Sequence, residues 1–427
     1  MSPRQASKFP GGTRVQAGFT LVELMISMVL GLFIVLALAT LLINVNRNNS
    51  ELAKSNRLIE NGRFAMQLLE SDLTHAGFWG GYVPGFDDLT RAAAATDVPT
   101  AVPDPCLEYA SWDDTHKTRL VGIGVQAYEI PSPVPSPTLS VCASRVVSPK
   151  ANTDVLVVRH LDMQSCTPGT AGCPTTTDVY FQSPYCMTTA PSVTTPTYIL
   201  STSATTDTAT FNLRQRNCTS ASAIRKFVSN LYYVRSNATT AGDGMATLMR
   251  SQFGPVTSGG TTTRQHKAAD AMIEGIEGFR VELGLDTVSD SGSTIGTTTF
   301  NTSTGAAAAI TWASSANLNS PTNRGDGLPD GSYVRCTSTT PCTPYQVMNA
   351  VAVKIYVLAR SEVATPGYTD SKVYCLGSSC SAPTVTACPA GSSNPAPLLG
   401  PFCDGYKRHL FTQTVRLTNI SMRRETP

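Results

Sequence analysis

The sequence predicts an α+β protein: a long amino-terminal helix with a transmembrane first half, packed on an antiparallel, β-rich and disulfide-stapled head. Three observations support this prediction. Residues 24–43 are an almost uninterrupted apolar run, about the length that crosses a bilayer as a helix. Short β-type segments separated by Ser, Thr, Gly and Pro follow beyond Trp79. All twelve cysteines lie after the apolar run, which is typical of exported, disulfide-bonded chains.

Beyond Asn46 the helical pattern continues and becomes amphipathic. Apolar residues recur there every seven positions, at Leu52, Ile59, Met66 and Leu73. Gly77 supplies a stop signal. We expect one helix over residues 19–77, about 88 Å long at 1.5 Å per residue. Residues 19–46 would lie in the membrane and residues 47–78 would pack against the head, with Gly62 in close contact with another backbone.

Six segments are rich in β-branched and aromatic residues, which predicts strands of an antiparallel sheet. They are Asp154–Arg159, Tyr198–Leu200, Leu231–Arg235, Ile276–Leu285, Val351–Leu358 and Phe411–Leu417. In the fourth segment apolar residues alternate with Arg280, Glu282 and Gly284, the pattern of a strand with one apolar face. Three stretches rich in Thr, Ser, Ala and Pro, at 174–206, 287–323 and 377–397, are expected to be long surface loops.

Charge and motifs exclude several functions. The chain has 32 Lys and Arg against 30 Asp and Glu, so it offers no basic patch that would indicate a nucleic-acid partner. Three of the basic residues lie in the first 18 positions, which contain no acid. The common hydrolase, protease and nucleotide motifs are absent. Asp326 and Asp330 lack the alternating ligands of a calcium loop. We therefore expect no enzyme activity, no cofactor and no metal.

The cysteine count is even and no Cys-x-x-Cys occurs, so disulfides are favoured over a metal site. The expected disulfide cysteines are Cys106, Cys142, Cys166, Cys173, Cys186, Cys218, Cys336, Cys342, Cys375, Cys380, Cys388 and Cys403. Short spacings predict local staples between Cys336 and Cys342 and between Cys375 and Cys380. The sequence leaves the full pairing open.

The apolar segment has three interpretations. A secretory signal would be cleaved after a small-residue site such as Ala37-Leu38-Ala39, but the apolar run continues beyond it. A plain anchor gains nothing from Glu23, because a carboxylate in an apolar span costs up to about 3 kcal/mol. Cleavage ahead of the apolar run, followed by its retention as an anchor, accounts for both features.

Residues 18–25, Gly-Phe-Thr-Leu-Val-Glu-Leu-Met, resemble the type IV prepilin processing motif. The resemblance implies a leader at 1–18, cleavage by prepilin peptidase between Gly18 and Phe19, and N-methylation of Phe19. Glu23 would become the fifth residue of the mature chain. A carboxylate in a membrane is tolerable when paired with a cation, so Glu23 would pair with the freed amino group and set the register of assembly.

A narrower resemblance covers residues 60–66, 72–80 and patches of the later strands, such as 273–279, 351–357 and 414–419. These are similar to minor pilins of the PilW family. The resemblance implies a head over 79–427 and a subunit that joins other minor pilins to prime type IV pilus growth and top the fibre. Implied partners are other minor pilins, the major pilin, prepilin peptidase and the inner-membrane assembly machinery.

The resemblance also implies location. The chain would be a single-pass inner-membrane protein with a periplasmic head before assembly, and part of the fibre surface or tip afterwards. A J-type pseudopilin of a type II secretion system shares the leader and the long helix and is the nearest alternative. A single-pass anchored adhesin or enzyme unrelated to pili is the alternative from another class.

Overall fold

The computed structural model describes residues 18, 20–88, 97–135, 142, 144–170, 173, 178–186, 198–287, 325–388, 394 and 397–424. The chain divides into two compact units, residues 1–54 and 55–427. Four α-helices occur in the described residues: α1 (Leu21–His75), α2 (Asp114–Gly122), α3 (Pro344–Met348) and α4 (Thr418–Ser421). In the first unit the described residues are almost all helical and exposed.

The second unit contains thirteen described strands: β1 (Val125–Ile130), β2 (Thr153–Cys166), β3 (Tyr180–Gln182), β4 (Ile199–Ser201), β5 (Ile224–Arg235), β6 (Thr247–Ser258), β7 (Thr261–His266), β8 (Asp270–Glu274), β9 (Ile276–Leu285), β10 (Ala350–Arg360), β11 (Tyr374–Cys375), β12 (Leu398–Leu399) and β13 (Arg408–Arg416). One sheet has the order β1-β2-β5-β3-β4, with β6 on β5 and both β7 and β8 on β6. A second sheet has the order β13-β10-β9, and β11 pairs with β12. All the pairings are antiparallel.

The α+β class and all six predicted strands are therefore confirmed, although they belong to more than one sheet. The helix ends at His75 rather than at residue 77. Gly77 has a positive φ of 71° and its N–H donates to the carbonyl of Arg159 at 2.9 Å. This conformation favours glycine and cannot continue a right-handed helix, so the predicted stop signal is real.

The second part of α1 supplies one wall of the core. Six of its residues are buried: Leu58, Gly62, Ala65, Met66, Leu69 and Leu73. All of them except Gly62 join strand residues of both larger sheets, such as Val234, Val281 and Val353, in one hydrophobic cluster. The predicted stripe is wrong at its start, because Leu52 is 62% exposed. Leu52 belongs to the first unit, where no described residue is buried.

Strand β9 departs from its predicted pattern, since all ten residues are buried. Arg280 donates to the carbonyl of Asn152 at 3.3 Å. The Glu282 carboxylate accepts from the Tyr356 hydroxyl at 3.0 Å and from the Ser378 N–H. The face that carries the polar residues is thus covered by other segments of the head. Hydrogen bonds replace part of the water that these groups lose, although Nε and Nη1 of Arg280 have no hydrogen-bond partner among the described residues.

Gly62 packs against a side chain rather than against a backbone, which corrects the prediction. A methyl group built on Gly62 would overlap the ring of Phe411 on β13. The absence of a side chain lets the strand residue lie directly on the helix. Helix and strand are therefore in direct contact at this position.

One predicted loop is wrong in part. Residues 174–206 include β3 and β4, which pair with each other, and β3 also pairs with β5. Tyr180 and Leu200 are buried, so enough apolar surface is available for strands despite the Thr-rich composition. Residues 288–323 of the second predicted loop lie outside the described residues. Residues 377–388 of the third form no helix or strand.

Candidate functional site

The start of α1 is a capping box built from Thr20 and Glu23. The Thr20 N–H donates to Oε2 of Glu23 at 3.0 Å, and the Glu23 N–H donates to the Thr20 hydroxyl at 3.3 Å. The Thr20 hydroxyl also donates to the same carboxylate at 2.9 Å. This reciprocal arrangement satisfies two N–H groups that a helix start otherwise leaves unpaired. The spacing Thr-x-x-Glu is a sequence signal for such a box.

The acid therefore has a local role in the isolated chain. A carboxylate in the first turn of a helix is also favoured by the helix dipole. Oε2 of Glu23 contacts the backbone nitrogen of the residue that directly follows Phe19. Gly18 is exposed. Phe19 and leader residues 1–17 lie outside the described residues.

The apolar run after Glu23 is uncovered. Every large apolar side chain from Leu24 to Ile43 is at least 52% exposed. In the described part of the chain, α1 is the one helix long and apolar enough to cross a membrane. Each such side chain gains roughly 1.5 to 3 kcal/mol when it is removed from water, so this surface requires lipid or other subunits. The processing motif and the apolar helix together fit membrane anchoring.

The predicted cysteines form six disulfides, and both expected local staples are among them. The pairs are Cys106–Cys142, Cys166–Cys173, Cys186–Cys218, Cys336–Cys342, Cys375–Cys380 and Cys388–Cys403. They enclose between 5 and 36 positions of chain. The sequence favoured disulfides but could not identify the partners, which the fold brings together.

A polar group on α1 connects the helix with the first sheet. The Asp72 carboxylate accepts from Nε2 of His160 on β2 at 2.9 Å and from the amide of Asn230 on β5 at 3.0 Å. Burial lowers the pKa of His160, but the hydrogen bond and the charge of Asp72 outweigh burial and raise it. Sequence reasoning missed this group, since its members are far apart in the chain.

Two other histidines are buried without a carboxylate hydrogen bond. The ring of His266 lies between the hydroxyls of Ser251, at 3.2 Å, and Ser229, at 3.5 Å. Burial, with help from the charge of Arg159, lowers the pKa of His266 to about 3. Burial and the same arginine lower the pKa of His116 to about 4. Both rings are therefore neutral at pH 7, as core residues.

The two acids of the Asp-Gly-rich turn bind backbone groups. Asp326 accepts from the N–H of Leu328 at 2.8 Å, and Asp330 accepts from the N–H of Thr287 at 2.7 Å. Within the described ranges no cluster of three or more His, Cys, Asp or Glu could hold a metal ion. The carboxylates are thus used to shape the turn.

Two family models match the chain. Residues 13–39 match the prokaryotic N-terminal methylation motif, and residues 231–419 match Type IV Pilus-assembly protein W. No curated protein matches the chain. Among solved structures, the Type IV-like pilin TTHA1219 from Thermus thermophilus is 12% identical and is matched over 86% of this chain and 98% of that one. Its TM-score of 0.25 is too low for the likeness to carry weight.

The first match covers the start of α1, with Gly18 and Glu23. The second begins within β5 and ends within α4, and so includes the whole of the β13-β10-β9 sheet. An anchoring helix with this motif at its start, continued by a β-rich head, defines a type IV pilin-like protein. Within that class the chain is similar to the PilW family of minor pilins, whose model matches residues 231–419.

Proposed function

We propose that the chain is cleaved between Gly18 and Phe19, methylated on Phe19, and then joins other minor pilins to prime a type IV pilus at whose tip it remains. Prepilin peptidase, the major pilin and the inner-membrane assembly machinery are the partners this requires. The head faces the periplasm before assembly. The observation that supports the proposal is the Glu23 carboxylate, held at the helix start by Thr20, the residue that follows Phe19 in the sequence.

The site is suited to joining subunits rather than to catalysing a reaction. Pilins in general are structural proteins. Cleavage creates an amino group one residue before Thr20, whose own N–H already binds Glu23. The carboxylate has a second oxygen and further lone pairs available for an ammonium group. An ion pair inside a packed bundle of apolar helices specifies register, because an unpaired charge there is costly.

Two substitutions of Glu23 separate capping from charge. Glu23→Gln retains an oxygen that can accept from Thr20, and glutamine is accepted at this position of a capping box. Glu23→Ala removes both the cap and the charge. We expect both variants to lower the number of pili per cell and the amount of this subunit in sheared fibres. Normal incorporation of Glu23→Gln would show that capping alone suffices and that charge does not set register.

Cleavage is tested separately by amino-terminal mass spectrometry of the membrane form. The proposal requires a mature chain that starts at methylated Phe19. A chain that starts at Met1 or after Ala39 would contradict it. Such a chain would support an anchored protein unrelated to pili.

A further inference from the structure

Arg159, on β2, is a fully buried cation. Its exposed fraction is 0%, and an arginine side chain in a protein keeps its positive charge. Moving such a charge out of water is costly unless a counter-charge and hydrogen bonds compensate for it. The surroundings of the guanidinium group therefore have to supply both.

The hydrogen bonds of Arg159 are incomplete. Its Nη1 donates to the carbonyl of Ile123 at 3.1 Å and to Oε1 of Gln126 at 2.7 Å. Its Nε and Nη2 are buried and have no hydrogen-bond partner among the described residues. These two nitrogens form one edge of the planar group, which can bind an anion through two parallel hydrogen bonds. The edge without a partner is thus the one suited to an anion.

Other buried arginines of the head lie next to carboxylates. Nε of Arg408 lies 2.5 Å from Oε2 of Glu277, and Nε of Arg424 lies 3.4 Å from Oδ1 of Asp87. Arg159 forms no ion pair with any acid in the described part of the chain. Its charge is therefore compensated less directly than theirs.

Asp104 is the acid whose charge acts on Arg159, and it does so without contact. Oδ1 of Asp104 instead accepts from the N–H of Cys106 at 2.9 Å. Residues 89–96 and 136–141, which flank this part of the chain in the sequence, contain neither Asp nor Glu. Those two segments therefore offer no carboxylate for the guanidinium group.

Polar side chains that can donate hydrogen bonds lie near Arg159. Ser229 is directly opposite it in the register of β2 and β5, and the Ser229 hydroxyl lies 3.5 Å from Nε2 of His266. His116 is buried, and its Nε2 has no hydrogen-bond partner within the described ranges. Burial lowers the pKa of both histidines, and the charge of Arg159 adds to this effect. The region is thus positive and rich in possible donors.

Residues 103–116 cover this face of the first sheet. The carbonyl of Pro103 accepts from Nε2 of Gln126 at 3.1 Å, and Gln126 is the side chain that binds Arg159. The ring of Trp112 stacks on Phe253 of β6, with centroids 5.0 Å apart. A ligand at the free edge of the guanidinium group would therefore be enclosed, so only a small one fits.

We propose that Nε and Nη2 of Arg159 bind one small monovalent inorganic anion, such as chloride, beneath residues 103–116. A water molecule could accept hydrogen bonds from these nitrogens but would leave the buried charge without a counter-charge. The anion would be a structural ligand of the folded head. This inference goes beyond the assembly role and does not depend on it.

Thermal unfolding at different chloride concentrations tests the proposal. The full-length chain in detergent is unfolded in chloride from about 1 to about 300 mM, with gluconate keeping the ionic strength constant, because a ligand that binds only the folded state stabilises it in proportion to its saturation. We expect the midpoint to rise by about 2 to 4 °C and to follow a single-site curve. A midpoint that does not depend on chloride would overturn the proposal.

Two substitutions locate the effect. Arg159→Met removes the charge and should abolish the chloride response. Arg280→Met is the matched control, since Arg280 is also fully buried and also has two nitrogens without a described partner. Burial lowers the pKa of Arg280, but the carboxylates of Asp154 and Glu129 oppose this effect, so we expect no anion there and an unchanged chloride response. A chloride response that persists in Arg159→Met would refute the site.

A second test needs no variant and still decides the question if Arg159→Met fails to fold. Bromide replaces chloride in crystals of the full-length chain, and its anomalous scattering locates it. We expect a peak within hydrogen-bond distance of both Nε and Nη2 of Arg159. Water at this position, or bromide at the protein surface only, would show that the proposal is wrong. Neither test involves other pilins, so a negative result leaves the proposed function unaffected.

Discussion

Nε2 of His160 lies 2.9 Å from Oδ1 of Asp72, with 12% and 10% of the two side chains exposed. This pair joins the end of α1 to strand β2, and Asn230 binds the same carboxylate from β5. The position of the helix on the first sheet therefore depends in part on His160, whose pKa is raised above its ordinary value by the hydrogen bond and charge of Asp72. The Asp72–His160 pair is a polar contact between α1 and a strand, as Gly62 and Phe411 form an apolar contact between α1 and a strand.

The pair predicts a pH-dependent share of stability. Because the pKa of His160 is raised above 6.5 in the folded head, its contribution is complete below pH 6.5 and is lost as pH rises through the folded pKa. The free energy of unfolding of the wild type should be compared with that of His160→Gln at pH 5.5 and at pH 8.5. The advantage of the wild type should be about 1 kcal/mol larger at pH 5.5. Urea unfolding at the two values measures this. In an Asp72→Asn background the extra stability of His160 over Gln at pH 5.5 should disappear, because burial then acts on His160 without the opposing carboxylate.

Gly62→Ala should destabilise the head by about 1 to 3 kcal/mol, because the added methyl group overlaps the Phe411 ring and forces it to move. Gly31→Ala is the matched control in the same helix, since a methyl group there meets nothing within 4 Å. Thermal unfolding of the two variants gives the comparison. Adding Phe411→Ala should remove the destabilising effect of Gly62→Ala. If the stability losses of the two substitutions instead simply add, the contact is refuted.

Acid should destabilise the head through its buried neutral histidines. The pKa of His266 is about 3 in the folded chain and 6.5 is its ordinary value, so stability is lost as pH falls from 6.5 towards 3. The slope is at most about 1.4 kcal/mol per pH unit for this ring. His266→Gln should show a shallower decline of its urea midpoint between pH 6.5 and 4.

Asp286 acts in the opposite direction. Burial, against the attraction of Arg424, raises its pKa to about 6, so protonation between pH 6 and 4 favours the folded state. For this reason the histidine effect is measured as the difference between wild type and variant. If the urea midpoints of wild type and His266→Gln change with pH in parallel, the predicted effect of His266 is contradicted.

The disulfides should differ in their contribution to stability. Cys106 and Cys142 are 36 positions apart, whereas Cys375 and Cys380 are 5 apart. Chain entropy predicts a loss of about 4 kcal/mol when the first pair is replaced by alanines and about 2 kcal/mol for the second. Denaturant unfolding of the two double variants measures the losses. An equal or reversed order would show that chain entropy does not dominate here.

Local patterns were enough to predict the long helix, the six strands and the use of cysteine. They failed where a second layer covers a surface, as on β9, whose polar face would otherwise meet water. They also missed β3 in a Thr-rich stretch, because its pairing with β5 provides hydrogen bonds that composition does not indicate. At Glu23 the resemblance suggested a pairing role, and the capping box with Thr20 was visible in the same four residues but was not identified.

The sequence by itself determined the long apolar helix, the processing motif and the β-rich character of the head, because these depend on contiguous residues and on composition. Tertiary structure alone decided which cysteines pair, why position 62 must be glycine, and that Asp72 meets His160. It also decided that, among the described strands, β13 pairs with β10 alone. Each of these depends on residues that are distant in the chain, and their proximity is a property of strand order and packing rather than of local pattern.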